Sequence, residues 1–388
     1  MHPKQAKLQL PTIESLSEVR RNLRISWYRC PIDRNRLIEL SRRSDARGLF
    51  LALGHLGLLG LTGFLAWYFF NSEHWIGVII SVFLYGSFAG FTAAPHHELC
   101  HGSVFKTKWL NEFFLRIFSF LGWQQFPIYR FSHAYHHRFT LHPAGDREEV
   151  MPEKPSLQFF YLLQLFTINL FGGYQSRGVI PVLRNTINLA LDRFDNPFNY
   201  WGPELYQEHP RERRQARNWA RILLGLHGLV IVASIASGQW ILAVLISGGP
   251  FIGNWYRYSV GVTQHCGLRS DVPDFRKCSR TVKLDPFTEF LYWHMNWHLE
   301  HHMYAAVPCY NLKTLHLELA DTMPHPRTLR SAWREMRETW RRQQSDPTYA
   351  FDTPVPAGTD SASDSSALVE SMGDLAPTAI AGEMAQKQ

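Results

Sequence analysis

The chain has 388 residues, 45% of them apolar and 14% aromatic, and a formal net charge of +7. It is long and apolar enough to bury a large core, and its five scattered cysteines, with no CxxC pair, fit a reducing cytosolic side better than a disulfide framework. The mean hydropathy of −0.20 resembles that of a soluble protein, but this average conceals long runs without Lys, Arg, Asp or Glu.

In chain order, the first 47 residues are basic, carrying Lys4, Lys7, Arg20, Arg21, Arg24, Arg29, Arg34, Arg36, Arg42, Arg43 and Arg47. No cleavable signal is expected, because the first apolar run begins near residue 48 and is long for a signal core. Residues 49–70, LFLALGHLGLLGLTGFLAWYFF, can cross about 30 Å of hydrocarbon, as can residues 76–95. The link NSEHW between them has no Lys or Arg, so segment 1–47 is expected on the cytosolic side. The arginine-rich stretch 106–217 belongs on the same side. Residues 222–237 and 240–256, joined by a bare GQ, read as a second pair of spans. The expected fold is an all-α, multi-pass membrane protein with two transmembrane helical hairpins and a cytosolic helical cap.

Two further segments and the tail complete the reading. Residues 156–174, SLQFFYLLQLFTINLFGGY, are apolar but interrupted by Gln158, Gln164 and Asn169. The segment RTLRSAWREMRETWRRQQ is a basic helix with Trp333 and Trp340 seven apart, suited either to a membrane surface or to ordinary amphipathic packing. Residues 344–388 are rich in Ser, Asp, Pro and Ala and are expected to be disordered. Three units follow: 1–47, a membrane domain over 48–343, and the tail.

The chemistry lies in histidines. HHELCH places His97 and His101 four apart, on one face of a helix. FSHAYHHRFT places His133, His136 and His137 at i, i+3 and i+4, and NWHLEHH repeats that spacing with His298, His301 and His302. With 19 histidines in the chain, a chance HxxHH is expected on the order of 0.05 times, so two of them signal metal binding. Eight box histidines exceed the four ligands of a zinc site and imply two ions. His265, in TQHCG just past the last span, supplies a ninth donor; His96, His142 and His294 read as surroundings. Glu98 and Glu300 lie inside boxes and are expected to orient ligand imidazoles by accepting their second N–H. Phe126, Phe131, Trp255, Trp293 and Trp297 flank the boxes and read either as core or as the lining of an acyl channel. If all boxes build one site, crossings between His137 and His265 must be even in number, so 156–174 is expected to be interfacial or re-entrant.

One HxxxH box and two HxxHH boxes, the last within NWHLEHHMYAAVPCYNLKTLH, resemble the membrane fatty acid desaturase superfamily, over about residues 45 to 320. The resemblance implies two iron ions (Fe²⁺) held by His97, His101, His133, His136, His137, His265, His298, His301 and His302, which are also the catalytic set. It implies O₂-dependent desaturation of a fatty acyl chain, with hydroxylation or ketonisation of a lipid or other hydrocarbon as the alternative at the same site. A metal transporter is disfavoured, because the spans contain no acids and only the isolated His55 and His227. No HPGG stretch marks a fused haem domain, so a separate electron donor of ferredoxin or cytochrome b5 type is expected. The active site is expected on the cytoplasmic side of the membrane, and no nucleic-acid partner is expected.

Overall fold

The computed structural model describes residues 16–146, 148, 157–172, 178–194 and 209–357. Within them the chain is mostly helical. Three helices are long and apolar enough to cross a membrane: Asp45–Asn71, Trp75–Cys100 and Pro210–Ala236.

Local chemistry sets the ends of these helices. Ser44 caps the first, accepting from the Arg47 amide, and the Asp45 carboxylate accepts from the Thr107 amide and hydroxyl, which fixes the helix start to that of the helix Lys108–Leu121. His74 caps the second by accepting from the Gly77 amide. The first two helices pack side by side through Leu59, Ala66, Val78 and Tyr85, together with Ile241 and Leu245 of the later pair. Gln239, in the predicted GQ link, bonds Trp67 and Asn71, so the tips of the two helical pairs meet away from the histidines.

The fourth expected span departs from the sequence reading. Residues Ile241–Phe251 form an 11-residue apolar helix, about 16 Å long at 1.5 Å per residue and too short to cross alone. It passes through a π turn and a 3₁₀ turn before breaking at Ile252. The cause is Gly248-Gly249-Pro250, because Gly favours chain flexibility and Pro removes a helical N–H. The break packs tightly: a Cβ at Gly86 would meet the Ile252 carbonyl at 2.5 Å, so only glycine admits this approach. A short helix, Trp255–Gly261, then leads to His265.

Within 156–174 the ordered helix is Phe159–Phe166, eight residues and too short to span; residues 156, 173 and 174 lie outside the described set. The N-terminal segment packs against residues 273–275. Trp27 stacks on Phe275, and the Tyr28 amide bonds the Pro273 carbonyl. Residues 282–283 and 327–328 form a parallel pair of short strands. The segment expected to be disordered from 344 is ordered at its start: the Phe351 amide bonds the Gly267 carbonyl, Asp352 pairs with Lys277, and Thr353 is buried against Arg327. Composition hides these anchors among Ser and Pro. Residues 358–388 lie outside the described set, as do 1–15.

Candidate metal centre

Box one ends the second long helix. After a 3₁₀ turn at Gly90–Thr92 the chain resumes as Ala93–Cys100, with His97 in its last turn and His101 at its C-cap. Box two closes the helix Phe126–Phe139, which Pro127 opens at a position where no backbone N–H is needed. Box three is the short helix His298–Met303. The Trp27 indole donates to the Arg138 carbonyl at 2.9 Å, satisfying an end group of the box-two helix.

All nine predicted histidines are buried and they converge in two groups. His97, His101, His133, His137 and His301 form one; His136, His265, His298 and His302 form the other, with the donor atoms of each group within 4.8 Å of one another. Ring nitrogens face each other directly. In the first group His133 Nε2 lies 3.0 Å from both His101 Nε2 and His137 Nε2. In the second, His298 Nε2 lies 2.8 Å from His265 Nε2 and 3.0 Å from His302 Nε2.

Side chains and one backbone carbonyl hold the outer ring nitrogen of six of the nine histidines. Nδ1 of His97 meets Glu98 at 2.9 Å, that of His133 meets Glu148 at 2.9 Å, and that of His136 meets Asp146 at 2.8 Å. His265 Nδ1 donates to the Cys278 carbonyl at 2.7 Å, and His302 Nδ1 lies 3.1 Å from the Thr140 hydroxyl. His298 Nδ1 lies 3.2 Å from the Gln264 amide. At His97, His133, His136, His265 and His302 an acceptor at Nδ1 selects the tautomer whose Nε2 lone pair points inward; at His298 the Gln264 group is an amide nitrogen, which donates and holds the ring without selecting that tautomer.

Electrostatics agree with this arrangement. Burial, reinforced by repulsion among the imidazoles, holds His133, His137, His298, His301 and His302 well below the ordinary imidazole range and pushes His101 and His265 down to about 3. These seven rings are therefore neutral donors at physiological pH. His97 Nε2 and both ring nitrogens of His301 are buried with no hydrogen-bond partner among the described residues, a costly condition unless something else binds them. Two nitrogens bound about 2.1 Å from one ion, at right angles, lie about 3 Å apart, the spacing these rings already have. The donor set fits a metal ion in each group.

Other expectations have mixed outcomes. Glu98 bonds His97, as an orienting group should, and lies 3.7 Å from His301, outside hydrogen-bond reach. Glu300 does not contact a box imidazole; it accepts from His316 at 2.6 Å and from Thr281 at 2.5 Å, because it projects from the opposite side of the box-three helix. His96, His142 and His294 fall outside both groups: His96 packs on Tyr129, His142 bonds the Thr140 carbonyl and His294 bonds Glu289. The flanking aromatics serve packing. Phe126 lies against Trp219, Phe131 beside His209, Trp255 on Phe166, while the indoles of Trp293 and Trp297 bond His55 and Glu289. None of the five lines the apolar cavity of about 540 Å³ bounded by Leu56, Leu59, Phe64, Tyr85, Leu242 and Leu245. Asp146, Glu148, Thr140 and Gln264 were missed by sequence reasoning. A signal existed for the two acids, which closely follow box two in LHPAGDREE.

The apolar helices are those of a membrane protein, and the buried histidine clusters are able to hold metal. A family model for fatty acid desaturases matches residues 73–334, and the chain belongs to that family. No curated protein matches it. Membership makes the protein an oxidoreductase with a lipid substrate.

Proposed function

We propose that the protein is a membrane di-iron enzyme that uses O₂ to introduce a double bond into a fatty acyl chain. The observation that carries this reading is the sorting of nine buried histidines into groups of five and four. His97, His101, His133, His137 and His301 would hold one iron, and His136, His265, His298 and His302 the other. Bound there, the irons supply the oxidising power, drawn from O₂ and external electrons, that removes hydrogen from an unactivated C–H bond.

The chain's own residues do the rest. Glu98, Asp146 and Glu148 fix imidazole orientation through Nδ1, and the buried cap excludes water from the donors. Removing two hydrogens while reducing O₂ to water requires two electrons from outside. The sequence has no dinucleotide fingerprint and no cysteine cluster motif, so a separate donor fits. With a net charge of +7, an acidic ferredoxin or cytochrome b5 type is favoured, and its docking weakens with salt. The basic N-terminal segment supports a cytoplasmic orientation of the site.

The test feeds a saturated acyl substrate under ¹⁸O₂ with a reducing system. Loss of two mass units without label is the expected result. A product carrying ¹⁸O makes the enzyme a hydroxylase or ketolase instead.

A further inference from the structure

The helix Leu329–Arg342 has two unlike flanks. On one, Glu335 pairs with Arg280 at 2.7 Å and Arg327 at 3.1 Å, tying it to the cap. On the other, Arg330, Arg334, Arg337 and Arg341 recur at intervals of four, three and four, which forms one row along a helix. All four are exposed, and none has an ion-pair partner among the described residues. Trp333 and Trp340 lie on the side of the helix nearer this row than Glu335 does, by rotation of about 100° per residue.

Trp333 shows what the row adjoins. Its indole donates to the Ser259 carbonyl at 2.8 Å, and its ring packs in a cluster with Tyr161, Leu165 and Tyr258. Tyr161 and Leu165 are the inward face of the short helix Phe159–Phe166. The outward face of that helix is bare hydrocarbon: Phe159 is 71% and Phe160 75% exposed, with Leu163 and Phe166 also exposed. Through Trp333, the helix that carries the arginine row thus packs directly on the helix that carries the exposed phenylalanine face. That sequence of chemistries is the profile of a bilayer interface, with charge at the headgroups, indoles below them and phenyl rings in the acyl layer. An acidic soluble protein would match the arginines but would leave the phenylalanines in water.

We propose that the Arg330–Arg334–Arg337–Arg341 row binds the phosphate headgroups of anionic phospholipids, with Phe159 and Phe160 seated in the acyl layer beside it. This surface is independent of the metal centre. The test equilibrates full-length detergent-solubilised protein with equimolar phosphatidylglycerol and phosphatidylcholine and counts retained lipid by native mass spectrometry. Wild type should favour phosphatidylglycerol by about tenfold, and less at about 0.5 M salt. The fourfold variant R330Q/R334Q/R337Q/R341Q should lose the preference, whereas fourfold replacement by Lys should keep it. If the glutamine variant does not fold, Arg337→Glu alone should reduce the preference at least twofold. Unchanged lipid ratios in the glutamine variant or in Arg337→Glu overturn the proposal. So does a glutamine variant with wild-type lipid ratios but weakened binding of an acidic ferredoxin, which would make the row a protein-docking face.

Discussion

The two histidine groups look alike in composition and differ in how the chain supplies them. Each HxxHH box feeds both. In box two, His133 and His137 enter the five-histidine group while His136 enters the other; in box three, His298 and His302 enter the four-histidine group while His301 crosses to the first. Helix geometry explains the split, since i and i+4 lie about 40° apart around the axis whereas i+3 falls about 60° to the other side. A box helix therefore stands between two centres. The groups differ again in their supports: carboxylates Glu98 and Glu148 back the larger, while the smaller relies on Asp146, the Cys278 carbonyl, the Thr140 hydroxyl and Gln264.

The strongest way to break this comparison is to remove the crossing histidines. His136→Ala and His301→Ala should each abolish turnover, by at least about 100-fold, and lower iron below the two ions per chain expected of wild type, read by elemental analysis. Retained activity in either variant, or a fully active zinc protein, would separate the boxes from the chemistry. Next in size are the supports. Asp146→Asn should cost about 10–100-fold in activity or metal affinity, and more than Glu148→Gln, because Asp146 is buried and also accepts from the Leu141 amide at 2.8 Å. Equal losses would mean that support strength does not distinguish the groups.

Acid tests a property that both groups share. His101 and His265 sit at about 3 when folded, against about 6.5 in an unfolded chain. Between those values the unfolded chain binds the extra protons, so the stability of metal-free protein rises with pH across about 3 to 6.5 and levels off above. Its melting temperature should fall as the pH is lowered through that window; a flat profile would mean that the rings are solvated. The smallest expected effect is that of Thr140→Val, a few-fold loss in metal affinity confined to the four-histidine group, measured by metal competition.

Spacing made the eight box histidines legible in the sequence, because HxxxH and HxxHH state their own helical face, whereas the lone His265 was legible only from its place just past the last apolar run. Their partition was not legible, since it depends on how three helices cross. Asp146 and Glu148 escaped notice because a loop has no periodicity to place its side chains. Glu300 shares a box with three converging histidines yet points to His316, a contact set by the later helix Leu312–Glu318 rather than by its own. Apolar composition found the spans but passed over Gly248-Gly249-Pro250, which ends the last one early.

Two long-range contacts of Cys30 tie the centre to the order in which the chain emerges during synthesis. The Cys30 amide bonds the Met303 sulfur at 3.2 Å, and the Tyr304 hydroxyl donates to the Cys30 carbonyl at 2.6 Å, contacts that close across more than 270 residues. Neither can form until box three has been made. By residue 137 a growing chain already holds four of the five histidines of the larger group, His97, His101, His133 and His137, but the smaller group has only His136. His265 adds a second member there, and the remaining two wait for residues 298 and 302. The two halves of the centre therefore mature on different schedules, the larger nearly complete while much of the chain is unmade and the smaller assembled only at the end.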